Sequence, residues 1–241
     1  MGMPITVEVV DESATDADVD AIYKYFEYVD ETFSTYKETS EITRINKGTL
    51  SLAEASEDMH TVFRLSDQTK WETDGYFDIY RNGSYDPSGI VKGWAIYNAA
   101  EQLRARGFKH YYVDAGGDIQ TAGKNAEGQT WRVGIRNPFN IQQIVKVVYI
   151  HDHGIATSGS YIRGQHIYNP KSSEPFVSDV VSLTVIGPNV YEADRFATAA
   201  FAMGRDGIDF IEQLNGFEGY MIDENGWATL SSGFGAYTHD V

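Results

Sequence analysis

Apolar and polar residues alternate at the start of the chain, with Ile5, Val7 and Val9 set against Thr6 and Glu8, so residues 5–10 predict a half-buried strand. The period then changes. Val19, Ile22, Tyr23, Phe26, Val29 and Phe33 recur at helical spacing behind a run of N-cap residue types at 13–16, predicting a helix over 16–33. That stripe reads as core rather than as a ligand box. A second helix is predicted over 56–73, with Met59, Val62, Phe63 and Leu65 on one side and Gly75 as its stop. A third runs over 92–106 and ends at Gly107. The stretch HYYVDAGGDIQTAG then gives a Tyr/Val-rich strand, a Gly-Gly turn and a second strand. Further strands are predicted at 131–135, 144–151, 180–186 and 219–222, and helices at 193–203 and 206–214. Strands cluster and helices interleave irregularly, which is an α+β pattern rather than a repeating strand-helix alternation. With no internal repeat and no linker-like stretch, residues 1–241 are expected to form one domain or two tightly fused lobes.

Composition narrows the function. The formal net charge of -16 repels nucleic-acid phosphates, so a nucleic-acid partner is not expected. The same field opposes a nucleotide, so a phosphate ligand would need a metal or backbone amides beside it. The absence of cysteine excludes disulfides, thiolate zinc sites and a Cys nucleophile. The opening MGMPITVEVV lacks a basic stretch followed by an apolar run, and no window reaches the length of a membrane-spanning helix. A cytoplasmic protein is therefore expected, or an extracytoplasmic one had a leader been removed.

Five short segments could carry chemistry. In Tyr85-Asp86-Pro87-Ser88-Gly89-Ile90-Val91-Lys92-Gly93-Trp94, small residues and a Lys stand at a helix entry, where open amides can bind phosphate. The glycine spacing is not that of a Walker loop, and an ordinary Asp-Pro-Ser-Gly turn fits the pattern better. In Ala115-Gly116-Gly117-Asp118 the absent side chains let backbone approach a ligand, and a tight hairpin explains the glycines equally well. Ala156-Thr157-Ser158-Gly159-Ser160-Tyr161 is a hydroxyl-rich run that also reads as a capped loop. His166, one of six His, could act as a base near neutral pH. Asp194 and Thr198 lie four apart on a predicted helix and share a face, offering hard oxygen ligands, although an Asp there could simply satisfy the helix dipole.

Taken in order, these segments resemble the ApbE family, the FAD:protein FMN transferases. The resemblance also runs through Met1-Gly2-Met3, Phe33-Ser34-Thr35-Tyr36, Ser40-Glu41-Ile42-Thr43-Arg44-Ile45-Asn46, Gly75-Tyr76-Phe77-Asp78 and His166-Ile167 through Pro170, and so covers nearly the whole chain. It implies an α+β fold with mixed, largely antiparallel sheets around an FAD cleft. By the same resemblance Gly89 (through its carbonyl), Asp194 and Thr198 hold Mg2+. Met1, Tyr36, Tyr76, Phe77, Asp78, Asp86, Lys92 and Ile167 contact FAD, with Asn46 and the Gly116-Gly117 turn near the cleft. His166 becomes the general base that deprotonates a Thr or Ser of an acceptor flavoprotein, whose oxygen displaces AMP from FAD. The chain departs from the family pattern at Asn169, Ser172-Ser173 and Ala197. An FAD diphosphatase and a non-catalytic FAD-binding protein are the alternatives.

Overall fold

A computed structural model of the chain describes residues 2–159, 168–172 and 178–239. Its frame is one seven-stranded sheet. In chain order the strands are β1 (Ile5–Val9), β4 (Tyr111–Ala115), β5 (Asp118–Ala122), β8 (Gly154–Gly159), β9 (Val180–Gly187), β10 (Glu218–Asp223) and β11 (Ala228–Leu230), each hydrogen-bonded to the next and every pairing antiparallel. Two small hairpins stand apart, β2 (Tyr80–Arg81) with β3 (Ser84–Tyr85), and β6 (Trp131–Asn137) with β7 (Asn140–Ile150).

The long helices α1 (Asp16–Phe33), α3 (Glu57–Glu72), α4 (Ser88–Ala105) and α5 (Val190–Ala202) are joined by the short α2 (Glu41–Asn46) and α6 (Asp206–Glu212). One core lies between α1, α3, α4 and β4; a second lies where α5 and α6 cover β8, β9 and β10. The β6–β7 hairpin covers the opposite face of the sheet, packing Trp131, Val133, Ile135, Val148 and Ile150 on Ile119, Ile155, Ile186, Tyr220 and Ile222. With cover on both faces, β9 and β10 are buried almost continuously rather than alternating.

The junction of β5 with β8 is short. Only Ile119↔Ile155 and Gln120↔Gly154 pair there, whereas β8 and β9 pair over six positions from Gly154↔Gly187 to Gly159↔Ser182. Gly154 is required at this seam, because a Cβ would run into the Asn189–Val190 backbone where α5 begins.

The structure revises several predicted boundaries. Helix α4 starts at Ser88, four residues before the expected 92, because Pro87 with φ -82 suits a helix entry despite its turn-like neighbours. Helix α5 starts at Val190 rather than at 193, since the Asn189 side chain accepts from the Glu192 amide and caps the first turn. Residues 154–159, with their hydroxyls, form strand β8 and not a loop. The six-residue α2, capped by Ser40, and strand β11 were not anticipated. Among the described residues, no helix is long and apolar enough to cross a membrane.

Candidate active site

Helices α4 and α5 cross closely because Gly93 has no side chain. A Cβ there would stand 2.6 Å from the Asp194 Cβ and 2.8 Å from the Val190 carbonyl oxygen. The contact is used chemically as well. The Gly93 amide donates to Asp194 Oδ2 at 2.7 Å, fixing the carboxylate with its other oxygen, Oδ1, 3.2 Å from Lys92 Nζ. Lys92 also donates to Asp118 Oδ2, and Asp118 Oδ1 accepts from the Thr157 amide at 3.0 Å. One ammonium from α4 is thus held by carboxylates from β5 and α5.

Both carboxylates belong to residues only 2% exposed. Burial pushes the Asp118 carboxyl up to about 7, against the pull of the Lys92 ammonium and with the Asp194 charge adding to the rise. A cation here is required by the surroundings, since two buried carboxylates without one would repel each other and resist ionising.

One turn along α5, the Thr198 hydroxyl donates to the Gly89 carbonyl at 3.3 Å and lies 3.4 Å from Ser158 Oγ. The three oxygens come from α5, α4 and β8. A Cβ on Gly89 would stand 3.2 Å from both Thr198 Cγ2 and Phe77 Cε2, so glycine keeps that space open. The donor chemistry fits Mg2+: an acidic oxygen, hydroxyls and a carbonyl are all hard ligands, and adjacent corners of an octahedron with ~2.1 Å bonds lie ~3 Å apart. Among the described residues no group of three or more His, Cys, Asp or Glu side chains converges, so the protein's share of such a site contains few charges. Asp194, Thr198 and Gly89 would hold the ion together with ligand oxygens.

The other expected site residues are placed around this cluster in different settings. Asp86 accepts from the Ser88 amide at 3.0 Å and so helps start α4. Asp78 pairs with Lys70 at 2.6 Å and accepts from the Tyr80 amide, while its carbonyl accepts from the Tyr168 hydroxyl. Tyr76 lies under Lys171, whose Nζ is 4.5 Å from the ring centre. Phe77 is 3% exposed and packs in the core beneath Gly89, whereas Tyr36 is 96% exposed. Asn46 joins α2 to β3, donating to the Tyr85 carbonyl and accepting from its amide, both at 2.8 Å. Met1, His166 and Ile167 lie outside the described residues. Asp118 and Ser158 are the additions. Both fell within segments singled out for their glycines and hydroxyls, but the signal that marks Asp118 is its position on the same strand face as Gln120, opposite Ile119, where a carboxylate needs a partner.

Fold and cluster together define an α+β protein with a lysine held between two buried carboxylates where α4 crosses α5. The structure superposes on a Vibrio cholerae protein described as Flavin Transferase ApbE with a TM-score of 0.84, at 24% identity, covering 98% of this chain and 96% of that one. The Thermotoga maritima ApbE protein matches with a TM-score of 0.87 at 21% identity over 99% and 96% of the two chains. At these identities the likeness is one of fold. The sequence model of the ApbE family matches residues 1–83 and 81–221, and the chain belongs to that family. Curated relatives named FAD:protein FMN transferase include one from Escherichia coli, 34% identical over 150 residues, and one from Vibrio cholerae, 35% identical over 130. These alignments cover 58% and 50% of this chain, and 43% and 39% of the relatives. The chain spans about two-fifths of the length of the curated relatives it matches.

Proposed function

We propose that this chain acts as a magnesium-dependent FAD:protein FMN transferase, which splits FAD and joins its FMN half through a phosphoester to a Thr or Ser of an acceptor protein. The observation that carries this reading is the half-buried cluster of Lys92, Asp194, Thr198 and the Gly89 carbonyl in a member of the ApbE family. In an acidic molecule this cluster gathers a cation and hard oxygen donors in one place, as a pyrophosphate ligand requires. Bound magnesium would neutralise charge on the phosphoryl oxygens.

The chain's own residues have separable tasks. Lys92, fixed by Asp118 and Asp194, keeps positive charge at the base of the site. The Gly93 amide and Thr198 hold Asp194 and the Gly89 carbonyl in register between two helices. His166 takes the proton from the acceptor hydroxyl; the hydroxyl oxygen forms a bond to the FMN phosphorus, and the phosphorus–oxygen bond to AMP breaks. AMP leaves with that bridging oxygen.

Mass spectrometry of a candidate acceptor incubated with the chain, FAD and Mg2+ tests the reading, with an added FMN as the expected result. Rapid release of FMN and AMP with no acceptor present would instead favour the diphosphatase. Asp194→Ala is expected to lower magnesium-dependent turnover by at least about a hundredfold. Undiminished turnover in that variant would sink the assignment of the site.

A further inference from the structure

Resting on the transferase reading, we propose that the β6–β7 hairpin is the docking surface for the acceptor protein, and that it receives an extended acidic segment bearing the hydroxyl to be modified. Charge points to it first. Residues 131–150 contain Arg132, Arg136 and Lys146 but no Asp or Glu, in a chain with 35 acidic and 19 basic residues. The hairpin is a local inversion of the molecule's field.

Arg132 and Arg136 stand on the outward side of β6, flanking Gly134. The space that a Gly134 side chain would need is taken by Ile144, 2.8 Å from the Cβ position, so both guanidiniums border an apolar floor. Among the described residues neither comes within 4 Å of a carboxylate, although the Arg136 charge acts on the Asp114 carboxyl; Arg132 leans toward the Tyr149 ring, 5.8 Å from its centre. A cavity of about 500 Å3 is lined by Arg132, Arg136 and Ile144 of the hairpin and by Ile119, Thr157 and Asp118 of the sheet. Asp114 also borders it, but that carboxyl accepts from the Gly117 amide at 2.8 Å, and burial raises its pKa.

Asp118 is common to the lining of this cavity and to the Lys92 cluster. A segment lying in this cavity brings its hydroxyl beside Asp118, and an extended chain fits such a slot better than a convex protein face does. Beyond the arginines, Phe139 and Ile141 are 58% and 50% exposed, giving the surface an apolar outer part. Paired guanidiniums over an apolar floor recognise carboxylates by fork-shaped hydrogen bonds and exclude water around them. Elsewhere the negative field of the molecule repels such a segment, so the hairpin also steers where it lands.

The test uses short fluorescent peptides with one central Thr flanked by Asp, by Gln or by Lys, titrated into the whole chain and followed by anisotropy. The Asp peptide is expected to bind at least about tenfold more tightly than the Lys peptide at ~50 mM salt, with the preference shrinking toward ~500 mM. Arg132→Gln with Arg136→Gln should remove the preference while FAD binding, read by flavin fluorescence, stays unchanged. The double Arg→Lys variant should restore most of it. Equal binding of the Asp and Lys peptides to the unaltered chain, or a preference that survives in the folded Gln variant, would overturn the proposal. FMN attachment to the bound peptide is scored separately. Attachment without charge preference counts against the docking surface, and charge-selective binding without attachment counts against the transferase reading.

Discussion

Lys92 is held between Asp118 and Asp194, whose residues are each 2% exposed. Removing the cation leaves like charges facing each other out of water, so Lys92→Met is expected to cost about 3–5 kcal/mol of stability at alkaline pH. The cost should shrink in acid. The folded Asp118 carboxyl is raised to about 7, above an unfolded value of ~3.9, so the native state binds its proton more tightly, and this group's contribution falls as pH rises between those values. Without Lys92 the rise is larger, and protonation relieves the repulsion below the folded value. Urea midpoints measured at about pH 5.5 and 8.5 check this; equal losses at both would contradict it. At this scale the sequence was only partly readable. Asp194 and Thr198 were marked by their spacing on one helix, whereas Asp118 followed two glycines that explained themselves as a turn, and its partner stands 26 positions away.

The elements bring those residues together through close approach more than through attraction. Gly93→Ala would drive a methyl into Asp194 and the Val190 carbonyl, so it is expected to destabilise by about 1–3 kcal/mol and to shift α4 from α5. Denaturant unfolding measures the loss, and a variant as stable as the parent would show that the crossing has slack. Long amphipathic stretches such as α1 were evident because their burial follows one period, with Ile22, Phe26, Val29 and Phe33 buried. Helix entries were less evident. Pro87 and Gly89 in α4 look like turn residues until the helix is seen to begin among them, and the cap on α5 is a single Asn. Strand β8 is hidden in the sequence by its Thr and Ser, whose hydroxyls find Thr184 and Thr198 across elements. Such pairings are tertiary and leave no local pattern.

For the whole molecule the net charge of -16 dominates the surface. Raising salt from ~20 to ~200 mM should therefore increase the melting temperature by a few degrees, as screening relieves self-repulsion while buried pairs are little affected. Differential scanning fluorimetry reads this directly, and a flat or falling Tm would argue that repulsion is already balanced. The two-pair seam between β5 and β8 has a different consequence, one of timing. Hairpins and helices that rest on sequence neighbours can form early, but Lys92 meets Asp194 only after some hundred residues of intervening chain have closed on themselves. The cluster is thus a late product of folding. A chain stopped with its two halves formed and the seam still open carries every one of these side chains and has no site.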